Sequence, residues 1–215
     1  MDKSQLFELY EMLGLILPGA VFIYGISFLY PELSSFSFSN DLSAGALGIF
    51  IILSYVMGHI VQVAGEYVEL FWRQIRGEPS EWVIEGNKQL FTTPQIKALE
   101  KKIPQAVAMD GDFSMSSLTR KQWLAMHKQL IIIVTNAERG KRLQKFNAIY
   151  VMCRGLVAAI VLLLIFSLFG HQTIGITTPF ILAGLASILF YRMTKYERHA
   201  VQELFLQFLQ TPLKE

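Results

Sequence analysis

The sequence is poor in cysteine, in charge along its apolar stretches, and in every motif of soluble catalysis. Cys153 is the single cysteine in 215 residues, so no intramolecular disulfide and no zinc or iron–sulfur spacing is available. There is no phosphate-binding glycine loop, dinucleotide fingerprint or metalloprotease helix. Asp110-x-Asp112 lacks the further oxygen ligands of a calcium loop and reads as a capped turn. No cofactor and no metal are expected. Residues 65–148 carry thirteen basic and nine acidic side chains, a mild excess that suits anionic lipid headgroups and predicts no direct binding of nucleic acid.

The absence of charge has the largest consequence. Residues 13–30, 44–64, 149–169 and 174–191 hold 78 positions and one formal charge, Arg154, while the other 137 residues carry the remaining 35. Stretches of 18 to 21 residues make helices of about 27 to 32 Å, the thickness of a bilayer's hydrocarbon core. A segment in lipid must satisfy its own backbone, which selects helices. These four stretches predict an all-α membrane protein, with four spans in two hairpins, and they argue against a soluble enzyme. Met1–Met12 has one lysine against three acids, where a secretory signal would need a basic start. The first span is therefore expected to remain uncleaved.

Basic residues are missing from 31–43 and 170–173, and they flank the other span ends: Arg73 and Arg76, Arg139 to Lys145, and Arg192 to Arg198. The positive-inside rule then puts both termini and the long middle segment in the cytoplasm. The expected organisation is a transmembrane hairpin over 1–65, a small helical cytoplasmic domain over 66–148, a second hairpin over 149–191, and an amphipathic tail over 192–215. In the middle segment Thr93–Pro94 predicts a short helix, with Thr93 as cap and Pro94 at its first position, that Pro104 ends, and Ser117 opens a longer one with Trp123, Met126, His127, Leu130, Ile131 and Val134 on one face. Ile131 to Val134 also fits a buried strand. Glu78, Glu81 and Glu85 suggest a solvated acidic face. In the tail Val201, Leu204, Phe205, Phe208 and Leu209 form a helical stripe. Trp123, Leu130, Leu204, Phe205 and Phe208 are candidate contacts to a partner protein or a second copy, with packing inside the protein's own cytoplasmic domain as the plainer reading.

One polar row crosses the membrane region. Tyr55, His59, Gln62, Glu66, Glu69 and Arg73 alternate by four and three, which sets them along one side of a helix. Antiparallel pairing with the third span brings Arg154 to about the depth of His59, within reach of Gln62 or Glu66. Tyr55, His59, Gln62, Glu66 and Arg154 are the candidate site, either as a seam fixing two spans or as a gate or ion path. No nucleophile–base pair accompanies them, so intramembrane catalysis is the weakest option.

The segments Leu17-Pro18-Gly19, Gly58-His59-Ile60-Val61-Gln62 and Phe146-Asn147-Ala148-Ile149-Tyr150 followed by Arg154, set in this topology, resemble small membrane components of bacterial anti-phage defence systems. These include the four-helix membrane subunit of Kiwa-type defence and the multi-span effectors of retron, CRISPR and cyclic-nucleotide systems. The resemblance implies a non-enzymatic, homo-oligomeric sensor or effector of the bacterial inner membrane that contacts lipid and responds to a cytoplasmic partner or signal. A small ion channel or transporter, with its path along the second span, is the alternative.

Overall fold

A computed structural model describes residues 3–32, 44–84, 90–107, 113–137, 140–169, 175 and 177–212. The described residues are helical with no strand. In chain order the helices are α1 (Lys3–Leu29), α2 (Ala44–Arg76), α3 (Glu81–Ile84), α4 (Thr93–Val107), α5 (Arg120–Asn136), α6 (Lys141–Phe169) and α7 (Thr177–Gln210), with a 3₁₀ turn at Met115–Ser117. Two of them, α2 and α6, are long and apolar enough to cross a membrane, and Gly14–Leu29 is a shorter apolar stretch. Of the expected outer segments, over 31–43 and 170–173, residues 33–43 and all of 170–173 lie outside the described residues, as does the Asp110–Asp112 turn.

The chain divides into two compact units, one of residues 1–72 and 148–195, the other of 73–147 and 196–215. In the first unit α1 crosses α2 at very short range. A methyl group on Gly19 would collide with the carbonyl oxygen of Ser54, and one on Gly58 with that of Leu15, so both positions require glycine for the backbones to approach. At Gly155 of α6 side chains take the space instead: a Cβ would lie 2.6 Å from Gln62 Nε2 and 2.7 Å from Pro18 Cγ. Around these contacts Phe22, Leu29, Val61, Ala158, Ala159 and Leu163 form a narrow core. The segment of α7 in this unit meets α2 through Trp72 and Phe190, ring to ring at 4.8 Å.

The second unit begins where α2 stops. Gly77 takes a left-handed conformation (φ 74°) and donates its N–H to the Arg73 carbonyl at 2.9 Å, a glycine-terminated helix end. Its core is built from α4, α5 and the tail of α7: Leu99, Ile103, Trp123, Met126, Leu130, Val134, Leu204, Phe205 and Phe208, with Val83 and Phe91. Phe205 stacks on Trp123 at 5.8 Å and meets Phe91 edge-on at 5.7 Å. Lys102 closes the C-terminal end of α7, donating to the carbonyls of Leu209 and Thr211 at 2.7 and 2.6 Å, where a cation also suits the helix dipole.

Several local expectations change. Pro104 lies inside α4 instead of ending it. Because Leu99 and Ile103 on this helix are wholly buried, packing outweighs the lost backbone bond. Thr92, one residue before the expected Thr93, takes the cap position, its N–H and hydroxyl both donating to Gln95. The long helix starts after Thr119, which forms a reciprocal capping box with Gln122, so Ser117 does not open it. Ile131 to Val134 is helix. Glu78 and Glu81 are not a solvated acidic face: Glu78 pairs with Arg73 at 2.8 Å and Glu81 with Arg120 at 2.5 Å. Glu85 is outside the described residues. The tail is the end of α7 and not a separate helix.

Candidate functional site

The polar centre of the first unit starts from a proline. In an α-helix the carbonyl of residue 14 accepts the N–H of residue 18, but Pro18 has none. The orphaned Gly14 carbonyl accepts from the Gln62 side-chain amide at 3.0 Å, and the same nitrogen donates to the Val151 carbonyl at 3.1 Å. One amide thus ties α2 to both α1 and α6. Its oxygen faces the other way and accepts from Arg154, Nε at 3.3 Å and Nη2 at 3.1 Å. The Arg154 guanidinium is completed by Glu69, Nη1 to Oε2 at 2.7 Å, with Glu66 further off at 3.6 Å. Gly65 makes room for it, since a Cβ there would lie 3.1 Å from Arg154 Cγ.

The ion pair is sheltered. The Arg154 and Glu69 side chains keep 14% and 12% of their exposure, whereas Glu66 keeps 64%. Removing one partner of so enclosed a pair leaves an uncompensated charge, which is far more costly than the pair's net contribution. The guanidinium, the amide and the Glu69 carboxylate together act as a brace across three helices.

The row of six residues therefore does not act as one face. At 100° per residue, alternating steps of four and three put Gln62 and Glu69 on one edge of the strip and His59 and Glu66 about 60° round the helix. The first edge makes the close contacts to α6, and from the second only Glu66 reaches Arg154, at 3.6 Å. Tyr55 and His59 point outward, paired edge to face at 4.8 Å and both exposed. Of the sequence candidates, Gln62 and Arg154 come together, Glu66 touches their rim, and Tyr55 and His59 stand apart. Arg73 belongs to the second unit, where it pairs with Glu78 and Glu197.

Two participants escaped the sequence reading. Glu69, although in the row, was not matched to Arg154; its signal is the seven-residue spacing from Gln62, two full turns along the same edge. The Gly14 carbonyl was missed too, and Pro18 four residues on is the signal that reveals it. The candidate contacts Trp123, Leu130, Leu204, Phe205 and Phe208 pack inside the second unit itself, the plainer of the two sequence readings. All five are buried to within 1% in the core of the second unit, so no surface remains on them for another chain.

His127 sits against Phe205 in that core with its ring centroid 6.1 Å away, and its Nε2 is buried without a hydrogen-bond partner. Burial, assisted by the positive charge of Arg73, lowers its pKa to about 4, so it is neutral at physiological pH. Among the described residues no group of three or more His, Cys, Asp or Glu side chains could hold a metal ion. The chain matches no protein-family model, no curated protein and no solved structure.

Proposed function

We propose that this chain is a four-span protein of the bacterial inner membrane with cytoplasmic termini, working without enzymatic chemistry as an oligomeric sensor or effector, in the manner of anti-phage defence components. The observation that carries the membrane part is where the apolar side chains face. Of the twenty-eight large apolar side chains exposed among the described residues, all but Ile75 and Ile132 belong to the first unit. In the most apolar stretch of α2 only 17% is buried, against 44% in α6. A helix of a soluble core hides that surface; a helix in lipid has no need to.

Sensing or effecting, as opposed to transport, is supported by the brace. A guanidinium satisfied by an amide and a carboxylate fixes helices and offers no open polar route. The second unit, with a folded core of its own, supplies the cytoplasmic body through which a partner protein or signal acts, and α2, α6 and α7 each contribute residues to both units.

A channel or transporter is the second reading, favoured by one observation: Tyr55, His59 and Glu66 are exposed on α2 beside the brace, and of the three only Glu66 touches it. Membrane potential during induced expression in a bacterium, followed with a voltage-sensitive dye, separates the two. Depolarisation that His59→Leu and Glu66→Gln abolish at matched protein level assigns these residues to an ion path. An unchanged potential with an oligomeric mass in detergent favours a triggered sensor, and a monomeric mass removes the oligomer. Topology is checked by single-cysteine labelling after Cys153→Ala, since that substitution clears the chain of thiols.

A further inference from the structure

We propose that the start of α6 binds the phosphate of an anionic phospholipid headgroup. The inference rests on the membrane reading above: beyond Lys145 the only charge on α6 is Arg154, so if 149–169 crosses the bilayer these first turns lie at headgroup level. Lys141, Arg142 and Lys145 are all exposed, and at 100° per residue they fall within about 100° of arc. The first turn of α6 has no acidic residue.

Beside the cations stands a small aromatic group. The Arg142 guanidinium lies over the Phe146 ring at 5.9 Å, and Phe146 meets Tyr196 at 6.2 Å and His199 at 5.8 Å. Rings with polar edges beside cations are the composition of the membrane–water interface. All of these residues lie in the second unit, so one folded body holds the arrangement. Among the described residues Arg142 pairs with Glu203, 3.8 Å from its Nε, and Glu203 accepts a 2.8 Å hydrogen bond from Gln207, while the Arg142 side chain remains 70% exposed. The guanidinium is thus open to a better acceptor. It would grip two oxygens of a phosphodiester, with the two ammonium groups as supporting point charges.

The test uses the full chain in neutral detergent, with retained lipid counted by native mass spectrometry during titration with phosphatidylglycerol or phosphatidylcholine. Phosphatidylglycerol is expected to bind at least about tenfold more tightly. The combined variant K141Q/R142Q/K145Q should lose that preference. K97Q/K101Q/K128Q, which removes the same charge from exposed positions elsewhere in the second unit, should keep it. If the first variant misfolds by circular dichroism, Arg142→Gln alone should lose about threefold. Equal losses in both combined variants, no preference in the wild type, or displacement of the lipid by millimolar inorganic phosphate would each overturn the assignment. Alkaline carbonate distinguishes the two levels of failure. A chain it strips from membranes sinks the membrane reading itself, whereas one that resists it yet lacks lipid preference sinks only the headgroup site.

Discussion

The two units of this chain bury opposite things. In the second, large side chains go inside: Trp123, Leu130, Phe205 and Phe208 have no exposed surface. In the first, most large side chains face outward around a narrow core of Phe22, Leu29, Val61 and Leu163, and the closest helix contacts are at small or polar positions: Gly19, Ser54, Gly58, Gln62, Gly65 and Gly155. Water drives apolar side chains together, so a unit in water assembles on area removed from solvent. Where the surroundings are themselves apolar that force vanishes, and helices are held by close backbone approach and by hydrogen bonds between polar groups. The comparison therefore predicts that each unit fails by a different kind of substitution.

The largest effect is expected at the brace. Arg154→Leu strands the sheltered Glu69 carboxylate and takes the donors from the Gln62 oxygen, at a cost of about 3 to 5 kcal/mol. Denaturant or thermal unfolding of the full chain in detergent would measure it. Pairing the change with Glu69→Leu removes both charges together and should recover most of the loss. A double variant as unstable as the single one would show that the ion pair is not what holds these helices.

Truncation of aromatic side chains gives the converse. Phe205→Ala opens a cavity between Trp123 and Phe91 and should cost about 3 to 5 kcal/mol. Phe180→Ala, at a position 73% exposed in the first unit, should cost less than about 0.5 kcal/mol. Similar losses at the two sites would erase the contrast between the units.

A third effect belongs to the second unit alone. His127 is held neutral there, with its pKa at about 4, while in the unfolded chain it titrates near the ordinary value of about 6.5. Between these values the unfolded state binds more protons, so stability falls as the pH falls. The loss starts near pH 6.5 and is complete below about 4, where it totals between about 3 and 4 kcal/mol, about 1.4 kcal/mol for each pH unit between the two pKa values. Unfolding at pH 7, 5.5 and 4.5 should show this slope in the wild type and not in His127→Leu. An identical slope in both would move the acid sensitivity to other groups.

How much of this was readable in the sequence differs between the units for a physical reason. The helices, the polar row and the nearness of Arg154 to Gln62 follow from hydropathy and from periods of 3.5 and 3.6. The choice of Glu69 over Glu66 does not, because they differ by about 60° round α2 and only the approach of α6 decides between them. The tail stripe was legible as a stripe, yet an apolar face reads the same whether it covers its own core or a partner. Burial of Leu204, Phe205 and Phe208 resolves it. Thr92 in place of Thr93 and the continuation of α4 through Pro104 are decisions between neighbouring options that tertiary packing makes.

The smallest expected effect tests the comparison most directly, because each unit contains a helix with an internal proline, Pro18 in α1 and Pro104 in α4. Both remove a backbone N–H and orphan the carbonyl four residues earlier. In the second unit that residue is Glu100, partly exposed, and water is at hand. In the first it is Gly14, buried, and the Gln62 amide takes water's place. Gln62→Leu should therefore cost more when Pro18 is present than in a Pro18→Ala background, where residue 18 regains its N–H and α1 satisfies Gly14 itself. The difference, read from a double-mutant cycle of detergent unfolding, should be about 1 kcal/mol. Additivity within about 0.4 kcal/mol would mean that the amide serves Arg154 and α6 but not the orphaned carbonyl. The proline would then be a matter of helix shape alone, as Pro104 is.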